Sequence, residues 1–199
     1  LRGIVENVQR YVPGAQWIGT VHVDGRADNG LSRAELKAAV AAGMRRVSFG
    51  LESGSQRLLD LMDKGCSVEA NAEFIRNAHD AGLSVRCTLF KGYPGETVED
   101  LLKTAQFLET HERFIDRVRY NDFSVHEDTP IFSMLRADPK RFPGFRVQSW
   151  DRRNGRQQFA NDGIASREYA RANRRVLRAV HAINRRPVRV MAHAFDGLM

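Results

Sequence analysis

Two short stretches of this chain combine residue types able to hold a polar ligand. Glu52-Ser53-Gly54-Ser55 follows directly on the apolar alternation Val47, Phe49, Leu51. About forty residues later, Lys91-Gly92-Tyr93-Pro94-Gly95-Glu96-Thr97 follows Val85, Cys87, Leu89 and Phe90. A carboxylate at the end of an apolar run can accept hydrogen bonds from ribose hydroxyls or an ammonium group. Glu52 therefore reads either as a ligand contact or as an acid favoured by the dipole of the helix that follows. Ser53 and Ser55 read either as ligand contacts or as helix caps, and Ser55 is better explained as a cap. Lys64 ends the next helical pattern, where a cation suits the dipole; if that helix folds back over the mouth, its ammonium could bind a carboxylate. Gly92 and Gly95 remove side-chain bulk, so backbone can approach a flat ligand. Glu96 belongs to that turn or stabilises the following helix start.

Other chemistries find little support. The six histidines, His22, His79, His111, His126, His181 and His193, show no paired-ligand spacing. Cys66 and Cys87 are too few for a disulfide framework and too far apart for a metal clip, and read as a turn residue and a buried strand residue. There is no GxSxG elbow and no P-loop. No apolar run approaches the roughly 18 residues of a membrane span and no leader pattern opens the chain, so the expected location is cytoplasmic. The net charge of +7 is unevenly spread. Between Arg141 and Arg189 thirteen arginines face only Asp151, Asp162 and Glu168, which leaves the remainder slightly acidic. Phe142, Phe145, Trp150 and Phe159 are not interleaved with these arginines as a stacking platform, so the tail reads as a solvated face and nucleic acid as a disfavoured partner.

The elements that position these residues follow a strand–turn–helix grammar. Ile4, Val5, Val8 and Tyr11 predict a helix stopped by Pro13-Gly14. Trp17 to Val23 predicts a strand ending in the polar turn Asp24 to Asp28. Ser32 and Glu35 form a capping box for a helix with Leu36 and Val40 inward. Val47 to Leu51 predicts the second strand, followed by a short helix carrying Leu58, Leu59, Leu61 and Met62, and by a helix from Ser67 to Gly82. Leu83 to Phe90 predicts the third strand, with a helix from Thr97, and Val118 to Val125 the fourth. Strand ends roughly 28 to 39 residues apart leave room for a crossover helix each time, which predicts a parallel sheet with right-handed connections. Polar residues at the C-terminal ends of such strands face one ligand-binding mouth. Four units are too few to close an eight-stranded barrel. Beyond Pro130 the stretch from Met134 to Gly163, with Pro139 and Pro143, reads as irregular. A helix from Ser166 to about Asn184 then has Tyr169, Val176, Leu177, Val180 and Ile183 inward and Arg167, Arg171, Arg174, Arg175 and Arg178 mostly outward.

The run FGLESGS, then LLDLMDKG, then LFKGYPGETVEDLLKT resembles the radical S-adenosylmethionine (radical SAM) superfamily, most closely members that also carry a cobalamin-binding domain. The resemblance covers roughly Trp17 to Pro130. It implies an α/β fold, a partial (β/α)6 TIM-like barrel of which about four units, the third to the sixth, are present, with a C-terminal α-helical extension: 1–130 as truncated barrel, 131–199 as irregular segment and Arg-rich helix. It implies S-adenosylmethionine chelated to a 4Fe-4S cluster and cleaved to a 5′-deoxyadenosyl radical. Glu52 and Ser53 would contact its ribose or amino group, Lys64 its carboxylate, and Leu89 to Glu96, including Gly92 and Gly95, would flank the adenine. Phe123, Ser124 and Val125 would touch the adenine from the next strand, and Arg26 and Asp28 match the turn after the third barrel strand.

The family's three cluster cysteines, CxxxCxxC, have no counterpart here, and Cys66 and Cys87 do not stand at matching positions. The Leu1 start and the leading half-helix together read as a fragment. The expectation is a piece of a radical SAM enzyme that supplies part of the cofactor pocket, is inactive alone and needs the preceding part of the same protein. Cobalamin use depends on that preceding part. The alternative is a cluster-free barrel acting as a binding or scaffold protein.

Overall fold

In the computed structural model the structure is described for residues 1–26, 28, 31–138, 140–151, 153 and 155–197. Ala27 of the first polar turn and Pro139 lie outside the described residues, as does the side chain of Trp150. In chain order the first part comprises α1 (Arg2–Tyr11), β1 (Trp17–Val21), α2 (Arg33–Ala41), β2 (Met44–Glu52), α3 (Gln56–Leu61), α4 (Val68–Ala81), β3 (Ser84–Lys91), α5 (Val98–His111) and β4 (Arg117–Asp122). The four strands pair in parallel in sequence order, each step crossing through a helix. Helix starts are chemically marked. Ser32 and Glu35 form a reciprocal capping box on α2, as do Thr97 and Asp100 on α5, and Ser67 accepts from the Ala70 amide on α4.

The period of two along each strand gives the sheet two unlike faces. Val47, Phe49 and Leu51 of β2, Val85, Cys87 and Leu89 of β3 and Val118 of β4 are buried with Leu36, Ala39, Phe74, Ile75, Leu101 and Leu108 of the covering helices. The intervening positions are Thr20, Ser48, Gly50, Arg86, Thr88, Phe90, Arg119 and Asn121. Register aligns them in rows, Thr20 with Ser48 and Arg86, and Gly50 with Thr88 and Arg119. All are half-buried or exposed. A doubly wound sheet buries both faces under helices and reads as continuous apolar runs. One apolar face and one open polar face is instead the wall of an incomplete barrel.

The remaining elements are β5 (Val125–His126), α6 (Pro130–Ala137), β6 (Phe145–Asp151), β7 (Arg156–Asn161) and α7 (Arg167–Asn184). Four expectations are corrected here. The stretch 134–163 is not irregular: it ends α6 and contains a hairpin, and β5, β7 and β6 pair antiparallel in that order. Its alternation is short: Phe145 and Val147 alternate with Arg146 and Gln148 only up to the register shift between Val147 and Ser149, and β7 carries Gln157 and Gln158 on opposite faces; pairing and the Phe145–Phe159 stack, 4.6 Å between centroids, hold the hairpin. The fourth strand stops at Asp122 and Val125 joins the second sheet, and β1 stops at Val21. Leu177 is 45% exposed, on the arginine side of α7. The buried side of that helix, Tyr169, Ala172, Val176, Ala179 and Ile183, enters the same core as α2, α4 and α5. After α7, Arg46 at the start of β2 donates to the Phe195 carbonyl (2.6 Å), and Arg117 of β4 pairs with Asp196 at 3.2 Å.

Candidate functional site

The C-terminal ends of β2, β3 and β4 converge on one polar mouth. At the end of β2 a register shift between Gly50 and Glu52 and a φ of +60° at Glu52 turn its carboxylate out of the strand. A left-handed non-glycine residue costs about 1 to 3 kcal/mol and marks positions held by function or by surrounding structure. Lys64 returns from beyond α3 and places Nζ 3.1 Å from Glu52 Oε1, with side-chain exposures of 32% and 16%. Beside them Arg26 reaches Asp24 (3.0 Å) and Asp63 (3.4 Å), and the Gly25 amide donates to the Gly65 carbonyl (2.8 Å), tying the turn after β1 to the Lys64 loop.

Ser53 and Ser55 sit elsewhere. Both are buried: Ser53 Oγ lies 3.1 Å from Thr104 Oγ1 and accepts from the Ser55 amide, and Ser55 Oγ donates to Asp100 at 2.6 Å. The side chain of Ser55 makes no capping bond on α3, contrary to the cap expected of it. A Cβ on Gly54 would fall 2.7 Å from Phe107 Cβ and 2.8 Å from Thr104 Cα. The Ser-Gly-Ser segment is thus a seat for α5, with glycine required by close helix approach. Burial opposes the Asp100 carboxylate, yet hydrogen bonds from Arg57, Ser55 and Thr97 hold it below the usual range.

After β3 the turn is closed by its own acid. Glu96 is 7% exposed; its Oε2 accepts from the Gly92 amide (2.6 Å) and from the Tyr169 hydroxyl of α7 (2.5 Å). The Asn161 amide of β7 donates to the Gly92 carbonyl (3.1 Å) and Arg57 to the Gly95 carbonyl (2.8 Å). Gly92 and Gly95 have φ of +84° and +82°, which glycine adopts without strain. Burial pushes the Glu96 carboxyl up to about 7, although both of its donors favour the charged form. The helix start itself is served by Thr97 and Asp100, so Glu96 acts on the turn.

Leu89 points into the helix-covered core and Val125 into a second core with Leu58, Tyr93 and Phe142; only their backbone is near the strand ends. Phe90, on the open side, is the aromatic that joins Phe123 (5.7 Å) and Tyr93 (6.2 Å). Lys91 and Asp122 pair across adjacent strand ends. Asp122 and Tyr169 were not singled out from the sequence as site residues, and Phe90 and Lys91 stood only within the span Leu89 to Glu96; for Phe90 the signal was an aromatic residue on the uncovered alternation of a strand, and for Lys91 and Asp122 a charged residue at a strand end. The structure therefore groups Glu52 with Lys64, and Gly92, Gly95 and Glu96 with Phe90 and Phe123, while Ser53, Leu89 and Val125 turn their side chains inward. Cys66 and Cys87 are buried, burial pushes the Cys87 thiol up to about 12, and among the described residues no three of His, Cys, Asp or Glu gather where they could hold a metal ion.

Residues 18–108 match the family model described as the Radical SAM superfamily. Among curated relatives, the ribosomal protein uS12 methylthiotransferase RimO of Cytophaga hutchinsonii is 31% identical over 96 residues, 47% of this chain and 22% of that protein. The chain spans between 14% and 22% of the length of the curated relatives it matches. Among solved structures, the cobalamin-dependent S-adenosylmethionine radical enzyme OxsB, with aqua-cobalamin and S-adenosylmethionine bound, superposes with a TM-score of 0.67 at 16% identity, over 86% of this chain and 30% of that one. The radical S-adenosylmethionine methyltransferase TsrM of Kitasatospora setae, with cobalamin and a 4Fe-4S cluster bound, gives 0.62 at 14% identity, over 90% of this chain and 39% of that one. At such identities these two likenesses speak for the fold alone.

Proposed function

Residues 18–108 match the radical SAM superfamily model, and from that match we propose that this chain supplies one wall of an S-adenosylmethionine site in a larger radical SAM enzyme. The observation that carries the reading is the Glu52–Lys64 pair at the mouth. A methionine-type ligand presents an ammonium and a carboxylate on one carbon. Glu52 is placed to take the first and Lys64 the second, so one partly solvated ion pair opens into two charge-assisted ones. The turn 92–96 and Phe90 and Phe123 provide a glycine-lined edge and aromatic rings beside that pair, where the adenine would lie. Ser53 serves this site by seating α5.

The donor set of this chain fits the organic cofactor and does not fit an iron–sulfur cluster, since its cysteines are buried singly in separate places. The cluster and its reductive chemistry are therefore assigned to residues outside this segment, and no step is routed through it here. The segment alone is expected to form no 5′-deoxyadenosine. Cobalamin, bound in OxsB and TsrM, is proposed for the whole enzyme only, with none of these residues assigned to it.

Titration calorimetry of the chain with S-adenosylmethionine tests the reading. Glu52→Gln and Lys64→Met should each weaken binding about tenfold, near 1.4 kcal/mol, with Arg45→Gln, away from the mouth, as control. Unchanged affinity in both variants, or no binding by the unaltered chain, would reject it.

A further inference from the structure

The outward face of α7 carries a row of arginines that the cofactor reading leaves without a role. Arg167, Arg171, Arg174 and Arg178 are all exposed, and at 100° per residue they fall within about 60° of one another around the helix. Arg171, Arg174 and Arg178 take part in no ion pair among the described residues. Arg175, one step round, is different: it grips Glu109 of α5 at 2.6 and 2.9 Å. On the exposed side the i, i+4 neighbours are like charges, Arg167 with Arg171 and Arg174 with Arg178, and each such pair destabilises a helix. A solvated face made only for solubility would intersperse acids; here Glu168 stands alone at the first turn. Leu177, 45% exposed, and His181 interrupt the row. With Arg171, Arg174 and Arg178 they line an open hollow of about 460 Å³.

We propose that this face docks an unpaired RNA strand. The row of guanidinium groups, recurring at intervals of three and four residues, about 4.5 to 6 Å of helix rise, supplies a track for phosphates. The guanidinium planes, the His181 ring and the Leu177 side chain in the hollow supply flat and apolar surfaces on which splayed bases stack. A duplex offers phosphates and no free base faces, and an acidic peptide offers charge without rings, so the mixed lining favours the single strand. Binding neutralises the self-repulsion along the row and releases counterions. This surface lies on the side of α7 opposite to Tyr169, and its assignment is independent of the cofactor site.

Fluorescence anisotropy of the full chain with a labelled oligoadenylate of about fifteen nucleotides, measured from 50 to 200 mM salt, tests it. The combined variant Arg171→Gln, Arg174→Gln, Arg178→Gln should bind more than tenfold more weakly, and the slope of log K against log salt should fall by about two. Arg175→Gln should change affinity less than twofold. Should the triple variant lose its helical circular dichroism, Arg171→Gln and Arg174→Gln singly must each show a smaller loss in the same direction. Absence of binding at 50 mM salt, unchanged affinity in the folded triple variant, tighter binding of duplex RNA, or equal binding of polyglutamate would each overturn the proposal.

Discussion

Replacing Tyr169 by Phe isolates the bond that ties α7 to the turn after β3. The hydroxyl donates to Glu96 Oε2 at 2.5 Å in a buried setting, and that oxygen keeps only the Gly92 amide when the hydroxyl is gone. A hydrogen bond to a charged group contributes about 1.5 to 3 kcal/mol, and one to a neutral group about 1. Since burial raises the Glu96 carboxyl to about 7, Tyr169→Phe should cost about 2 kcal/mol at pH 8, where the group is mostly charged, and about 1 at pH 5.5, where it is protonated. Glu96 itself makes stability depend on pH. The folded chain holds this proton more tightly than the unfolded chain, so stability is lost as pH rises from the ordinary carboxylate range towards 7 and is level above it. Between pH 5.5 and 8 the loss is about 2 kcal/mol. Glu96→Gln removes the titration and should flatten that slope, whereas Tyr169→Phe, having removed a donor that favours the charged form, should steepen it. Urea denaturation midpoints at the two pH values, with constant m, read both effects. Parallel pH profiles for the unaltered chain and Tyr169→Phe, or an undiminished slope in Glu96→Gln, would refute the reasoning.

Gly54→Ala places a methyl against backbone of α5, and overpacking of this kind costs about 1 to 3 kcal/mol; a thermal midpoint within a degree of the unaltered chain would show that α5 is not seated as described. Cutting the chain after Pro130 removes Tyr169, Ala172, Val176, Ala179 and Ile183 from the core. At about 1.5 to 3 kcal/mol for each of the larger apolar side chains, the loss rivals the whole stability of a domain of this size. Residues 1–130 alone should lack cooperative unfolding, and a sharp calorimetric transition in that fragment would contradict this.

The β/α order was legible because the strands of the parallel sheet are apolar on the face that meets helices and α2, α4 and α5 open on a cap: Ser32, Ser67 and Thr97 stand where their side chains bond the third amide onward. The hairpin was not legible. The alternation of Phe145 and Val147 with Arg146 and Gln148 is cut short by the register shift between Val147 and Ser149, β7 carries Gln157 and Gln158 on opposite faces, and contacts such as Arg146 with Asp162 at 2.7 Å form only once the strands pair. Leu177 was misplaced for a related reason. Helical spacing gives the width of an apolar stripe and not its edge, and the edge of this one is drawn by where α5 stops covering α7.

The site divides along the same line. Glu52 and Lys64 could be singled out by type and place, being charged residues at the ends of apolar elements, and the fold brings them into contact. Ser53, Gly54 and Ser55 looked like ligand contacts or caps because small polar residues at a strand end serve either purpose; only the position of α5, set by side chains fifty residues away, turns them into a helix seat. Tyr169 could not be found locally, since nothing in an amphipathic helix marks which of its buried hydroxyls meets an acid 73 residues earlier. That contact carries a consequence for the proposed cofactor wall. Gly92, the residue through which the backbone would approach a ligand, is held at its amide by Glu96 under Tyr169 and at its carbonyl by Asn161 of β7. Tyr169 and Asn161 lie beyond the segment matched by the family model, which ends at residue 108. The shape of a turn inside the family-matched segment is therefore fixed by side chains outside it, and sequence changes in α7 or β7 can retune the mouth without altering any residue of the recognisable motifs.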